Sequence, residues 1–304
     1  MTPTSTDWPL ITLVTPSFNQ AHFLEATLQS VLSQGYPRLE YIVVDGASND
    51  GSVDIIKRYA SQLAWWVSER DAGQTDAIAK GFARSSGEVM NWLNSDDVLR
   101  PGALFAVARA YMEAMEAQPH LIAGRSRDFT DDPEIATGEF TPAGYTYPDC
   151  LRFWDGRFRY HQPCTFFSRS AYERAGPLDA SLHYVMDYDF YCRVLALPDA
   201  RVRLVDDELS AFRRHADAKT SRAKPGFIEE LRRVSQAHWP ADWGAAERRD
   251  MDAYCAQCAV MHAAEAVREA AWARAARAVG RGLSYDAWET GRYALARVGS
   301  KKWR

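Results

Sequence analysis

The stretch Asn91–Leu104, "NWLNSDDVLRPGAL", decides how the chain is read. Its apolar start has the character of a buried strand, it stops on two adjacent aspartates, Asp96 and Asp97, and Pro101 then opens a helical pattern. Two neighbouring carboxylates at a strand end repel each other, so something must offset the repulsion. A hard divalent cation would do so and would in turn grip a diphosphate. An Asx-turn or a helix N-cap ahead of Pro101 is the alternative, because Asn, Ser and Asp favour both positions.

Upstream of this stretch, short apolar runs alternate with helical patterns. "LITLVTP", "EYIVVDG", "AWWVS" and "EVMNWL" read as strands, and 22–34, 52–59 and 75–84 as helices. Such βα alternation predicts a mainly parallel sheet flanked by helices, with the ligand crevice beyond the carboxyl ends of the strands. Those ends carry Thr15, Pro16 and Ser17, then Asp45, then Asn94, Asp96 and Asp97, with "ERDAGQTDA" following the third strand. Downstream, a helix over 102–117, an apolar "HLIAG" and a Pro-, Gly- and aromatic-rich stretch at 128–159 would build the crevice's second wall. Residues 226–304 turn to Ala, Arg, Glu and Trp and read as appended helices. The expected domains are therefore 1–225, with a ligand half over about 1–100 and a second half over about 101–225, and 226–304.

A chain of 304 residues that is 47% hydrophobic can bury a large core. A net charge of −4 gives no general pull toward nucleic acid, and none is expected as a partner. Five widely spread cysteines point to free thiols in a reducing compartment; the C-x-x-C of Cys255 and Cys258 lacks a second pair at zinc spacing. The start has no signal-peptide pattern, and no run of about 18 apolar residues occurs, so the expectation is a chain neither secreted nor membrane-spanning. From Arg268 to Arg304 nine basic residues stand against three acidic ones and are interleaved with Trp and Tyr. That tail suits either docking on an anionic membrane or packing on the protein with its arginines solvated.

Further chemistry-bearing residues have two readings each. Asp45 in "VVDGASNDGS" suits a nucleoside hydroxyl or base, or a turn before Gly46. Asp187 and Asp189 in "LHYVMDYDFYCRVL" open an apolar helix; one suits a general base and the other a structural role, with Asp187 preferred. His215, among Arg213, Arg214 and Lys219, suits a metal-bound diphosphate, and His161 in "YHQPCTFF" is the weaker histidine.

Taken together, "TPSFNQAHFLEATLQSVLSQGYPRLEYIVVDGASNDGSVDII", "SERDAGQTDAIAKGFARSSGEVMNWLNSDDVLRPGAL" and "MDYDF" resemble the family 2 glycosyltransferases of the GT-A fold, in order, through nearly all of 10–220. The resemblance implies an inverting transferase using a nucleotide-diphosphate sugar, UDP or dTDP preferred, with Mn2+ or Mg2+. It places Thr15, Pro16, Ser17, Asp45 and Asp71 in the nucleoside pocket, Asp96 on the ribose and Asp97 with His215 on the metal. Asp187 falls on the catalytic base; His161, Arg214 and Asp189 are weaker candidates on the acceptor or diphosphate side. Asn94 stands where an aspartate often opens the metal motif, and Ala79 where close relatives carry Asn. No Q-x-x-R-W motif follows, which implies one sugar per encounter. The acceptor would be a glycan or lipid-linked glycan of a bacterial surface pathway, reached from the cytoplasm, with peripheral contact at the inner face of the cell membrane. Rival readings are a sugar nucleotidyltransferase, for which the glycine- and basic-rich phosphate loop is missing after the first strand, and a non-catalytic sugar-nucleotide or carbohydrate-binding module.

Overall fold

The computed structural model describes residues 7–113, 120–216, 218–219 and 224–298. Its first half is the alternation anticipated from the sequence: β1 (Ile11–Ser17), α1 (Ala21–Leu32), β2 (Leu39–Asp45), α2 (Ser52–Tyr59), β3 (Trp65–Ser68), α3 (Gln74–Phe82) and β4 (Val89–Trp92). A short β5 (Val98–Leu99) and α4 (Ala103–Met112) follow, then β6 (Leu121–Phe129), β7 (Gly138–Phe140), β8 (Thr165–Ser168), α5 (Arg169–Ala175), α6 (Met186–Leu195) and β9 (Val202–Arg213). All the strands belong to one sheet, ordered β3-β2-β1-β4-β8-β6-β9-β5, with β7 on β6. β1 to β4 pair in parallel, whereas β8 is antiparallel to both its neighbours, β4 and β6.

Strands buried on both faces read as continuous apolar runs, and β1 is buried along its whole length. Leu13, Val14, Val43 and Val89 are fully covered, each such side chain contributing about 1.5–3 kcal/mol by leaving water. α3 lies close on β1: a Cβ at Gly81 would stand 2.5 Å from Val14 Cγ1, so any larger residue would push helix and strand apart. Register then aligns the polar strand ends. Ser17 pairs with Asp45 and Asp45 with Ser68, a row of three polar side chains along the carboxyl edge of the sheet.

The described residues form two compact units, one drawn from 1–147 and 159–215 and the other from 148–158 and 216–304. The second contains α7 (Lys224–Ala237), α8 (Ala245–Arg268), α9 (Trp272–Tyr285) and α10 (Ala287–Val298). Within it Trp154 of the inserted segment meets Trp239 and Trp243, and Arg152 lies over Trp243 and reaches Glu247. These rings hold residues 148–158 on the helical unit by apolar contact and cation–π attraction. All five cysteines are buried free thiols, and burial raises Cys255 to about 12, far from a metal-binding thiolate. Among the described residues no helix is long and apolar enough to cross a membrane.

Candidate active site

At the β2 end Asp45 is fully buried. Its carboxylate accepts from Ser48 N at 2.9 Å, Ser48 Oγ at 2.5 Å and Ser68 Oγ at 2.6 Å. Beside it Ser17 Oγ is buried with no hydrogen-bond partner among the described residues. A buried hydroxyl in that state is costly unless something supplies a partner, so it marks a place for a polar ligand group. Asp71 approaches the same point because Gly46 has no side chain: a Cβ there would lie 2.7 Å from Asp71 Oδ2. Asp71 itself accepts from Gly73 N at 2.9 Å. Thr15 is placed differently, its hydroxyl turned into the core 2.9 Å from Tyr41 OH, and Pro16 lies in the strand opposite Val44 of β2. Ser17, Asp45 and Asp71 therefore converge, while the Thr15 side chain supports the strand from within. Ser48 and Ser68 were not singled out from the sequence; Ser68 ends an apolar run, but only the register puts it beside Asp45.

The acidic pair sits in a tight turn. Asp97 N donates to Asn94 O at 3.1 Å, and α4 begins later, behind Gly102 at φ 81° and without a side-chain cap. The aspartates are thus not helix caps, and their carboxylates are engaged elsewhere. Asp97, only 1% exposed, accepts from Arg213 N at 3.0 Å and from Asn94 Nδ2 at 3.4 Å. Burial holds its carboxyl well above the usual range, and the charge of Asp96 adds to the effect. Asp96 Oδ2 lies 3.0 Å from His215 Nε2 and accepts from Gln20 Nε2 at 3.4 Å. The end of β9 is latched to this turn: Arg213 Nε donates to Asp96 O at 2.9 Å, and its guanidinium lies over Phe23 and Phe129 at 4.6 and 4.3 Å.

Alternation along an extended chain puts residues 213 and 215 on one side and 214 on the other. Arg214 accordingly points away, to Asp128 Oδ2 at 2.9 Å. Arg213, not Arg214, is the arginine at the acidic turn. Gln20, at the start of α1, is a further residue of this site that sequence patterns did not mark.

Asp96, Asp97 and His215 offer carboxylate and imidazole donors of the kind that hold Mn2+ or Mg2+, and His215 Nδ1 is buried with no partner among the described residues. Among those residues no cluster of three or more His, Cys, Asp or Glu is arranged as a metal cage. Hard cations bound through one or two carboxylates plus a substrate's phosphates need no such cage, so the residues fit a cation shared with a diphosphate.

The amino end of α3 ties the acidic turn to α6. Gln74 Nε2 donates to Asn94 Oδ1 at 2.7 Å, and the next residue, Thr75, places its hydroxyl 3.4 Å from Met186 Sδ. Asp187 follows in the first turn of α6, half-buried. Its Oδ1 accepts from Tyr188 N at 2.8 Å and Tyr160 OH at 3.3 Å. Burial raises the Tyr160 hydroxyl, and the adjacent Asp187 charge adds to this, so the phenol stays protonated as a donor. Asp189 instead is buried against Arg193 at 2.8 Å, and Arg193 also bonds Pro177 O at 2.9 Å. It closes a structural ion pair. His161, next to Tyr160, stacks on Phe140 with ring centres 3.8 Å apart, and burial lowers it to about 4. It is neutral at physiological pH and lies with the aromatic packing of β7 and β9.

The sequence model of the family described as glycosyl transferase family 2 matches residues 12–176, more than half of the chain. The chain belongs to glycosyl transferase family 2. The matched region includes Ser17, Asp45, Asp71, Asp96 and Asp97; Asp187 and His215 lie beyond it and stand on the geometry above. Among curated relatives, the chain is 31% identical over 151 residues to TuaG of Bacillus subtilis, a glycosyltransferase named for teichuronic acid biosynthesis, covering 48% of this chain and 59% of that one. It is 24% identical over 226 residues to a PGL/p-HBAD biosynthesis glycosyltransferase of Mycobacterium bovis, covering 73% and 84%. The chain thus matches less than two thirds of the length of TuaG, and 36% of an uncharacterized Mycobacterium tuberculosis glycosyltransferase. In structure it is similar to S. aureus TarS 1-349 in complex with UDP-GlcNAc, with a TM-score of 0.62 at 15% identity over 91% of this chain and 81% of that one. It is also similar to the mannosyltransferase PcManGT of Pyrobaculum calidifontis in complex with GDP-Man and Mn2+, at a TM-score of 0.50, 20% identity, and 98% and 78% coverage. The fold of this family 2 chain is GT-A, with its C-terminal helices in place.

Proposed function

We propose that the protein is an inverting, non-processive glycosyltransferase that moves one sugar from a UDP- or dTDP-sugar to a hydroxyl of a glycan or lipid-linked glycan, in bacterial surface glycan assembly. The observation that supports this reading best is the link from Asn94 through Gln74 and Thr75 to Met186, which runs from the acidic turn to the helix turn that carries Asp187. TarS bound to UDP-GlcNAc supports the donor class, and TuaG, named for teichuronic acid biosynthesis, supports a role in glycan assembly. Five buried free thiols suit a cytoplasmic site of action.

Asp45, with Ser17 and Asp71, would receive the donor N–H and O–H groups of the nucleoside. Asp97 and His215 would hold Mn2+ or Mg2+, which when bound would supply Lewis-acid stabilisation of the departing diphosphate, and Asp96 would face the ribose. Asp187 takes the proton of the acceptor hydroxyl as that oxygen attacks the anomeric carbon from the face opposite the diphosphate, so configuration inverts in one displacement. Tyr160 OH and Tyr188 N fix the carboxylate for this step through Oδ1.

Thermal melting with UDP, dTDP, GDP and CMP, each with and without Mn2+, tests the donor pocket directly, since a ligand that binds the native state raises its stability. A metal-dependent shift with one diphosphate is expected. No shift with any nucleotide would remove the donor-site reading.

A further inference from the structure

Helix α9 buries the wrong residues for a helix made only to pack. Its covered face is Ala275, Ala278 and Gly282, and a Cβ at Gly282 would stand 3.2 Å from Ala259 Cβ of α8. Its large apolar side chains point outward: Trp272 is 67% exposed, Val279 42% and Leu283 51%. Positions i, i+7 and i+11 fall on one side of a helix, so these three form a stripe rather than a scatter. After the single residue Asp286, α10 adds Trp288 at 78% exposure. Single exposed apolar residues are ordinary, but an aligned set of three that includes a tryptophan, with a second exposed tryptophan two residues into the next helix, marks a surface that meets something apolar.

The charge on the opposite side of the helix says what. α9 contains Arg274, Arg277 and Arg281 and no acidic residue. Arg274 is paired with Glu269 and Arg281 with Glu229, while Arg268 and Arg277 are exposed. From Arg268 to Arg304 the nine basic residues exceed the three acidic ones in a chain whose net charge is −4. Of that set Lys301, Lys302, Trp303 and Arg304 lie outside the described residues, and the Arg297 side chain is likewise not described. Tyr285 and Tyr293 do not join the stripe; they sit half-buried beside Arg232 and Arg292.

We propose that the α9 stripe of Trp272, Val279 and Leu283, together with the exposed Trp288 of α10, docks on an anionic bilayer. The small-residue face remains packed on α8, the apolar stripe enters the headgroup boundary, and the surplus of arginines meets the lipid charge. Packing and membrane docking thus use different faces of one helix. This inference does not depend on the catalytic reading, since it concerns the helical unit alone.

Flotation of the 304-residue chain with vesicles tests it. Vesicles of equal parts phosphatidylglycerol and phosphatidylcholine should carry the protein upward, pure phosphatidylcholine should not, and high salt should release it. Combining Trp272→Ser, Leu283→Ser and Trp288→Ser should lower the bound fraction roughly tenfold or more. Circular dichroism and melting should stay unchanged, because these side chains are exposed. Arg268→Glu with Arg277→Glu keeps the apolar stripe and should lose the preference for anionic lipid. A wild-type chain that stays at the bottom with anionic vesicles overturns the proposal, as does a serine variant that floats like wild type. Light scattering that finds a dimer dissolved by the serine substitutions, with no flotation, assigns the face to a second copy and likewise overturns it.

Discussion

Along the carboxyl edge of the sheet, polar groups are buried and nearly all matched, and large apolar residues are covered. Asp45 has three donors, Asp97 receives Arg213 N, and Leu13 and Val14 are out of water. Along α9 the order is reversed, with alanine and glycine inside and tryptophan and leucine outside. The first region spends its burial on internal stability and on holding charges in place. The second leaves unused the roughly 1.5–3 kcal/mol that covering each large apolar side chain would supply. There the alanine and glycine face packs closely on α8, while the larger side chains stay in water.

The contrast is sharpest at the end of the sheet where the proposed base Asp187 lies. Asp187→Asn should lower transfer by about 10²–10⁴-fold, the range for loss of a general base, while nucleotide-induced melting shifts stay as in wild type. Loss of those shifts as well would show a folding defect instead. Leu13→Ala, in the covered strand, should cost about 2–5 kcal/mol in urea unfolding, the range for emptying a packed core site. Asp189→Asn should cost about 1–3 kcal/mol, because Arg193 loses its buried partner, yet leave transfer nearly intact. A dead but folded Asp189→Asn protein would reverse the roles given to the two aspartates.

His161 gives a smaller, pH-dependent effect. Its folded value near 4 lies below the ordinary 6.5, so between these the unfolded chain binds the extra proton. Its contribution to stability is full above about pH 6.5 and is lost as pH falls toward 4. A ring proton titrating near 6.5 in NMR spectra of the folded protein would contradict the burial argument. Smallest of all, Trp288→Ser should change unfolding free energy by less than about 0.5 kcal/mol, as for an exposed surface position. A loss as large as that of Leu13→Ala would abolish the distinction between the two regions.

Much of this was legible from local pattern. The strands at "LITLVTP", "EYIVVDG", "AWWVS" and "EVMNWL", the three intervening helices and the helical C-terminal segment follow from apolar periodicity. So did the gathering of strand ends: a βαβ alternation leaves few topologies, all with the carboxyl ends on one side. Choices between neighbours were harder. Asp187 and Asp189 both read as residues of a helix start, and only the presence of Arg193 one turn on, and of Tyr160 across from Asp187, separates them. Arg213 and Arg214 are alike in composition, and strand direction sends one to the acidic turn and the other to Asp128.

The sequence by itself determined the class of fold, the row of acidic residues at the strand ends and the family to which they belong, because periodicity, turn chemistry and motif spacing are local properties of the chain. Only the tertiary structure decided that Ser68 supports Asp45, that Thr15 faces the core, that Asp96 meets His215 and that Trp272 and Trp288 stay in water. Strand register, side-chain direction and the choice of a packing face depend on contacts between residues tens to more than a hundred positions apart, and the competition among such contacts is resolved only when the whole core closes.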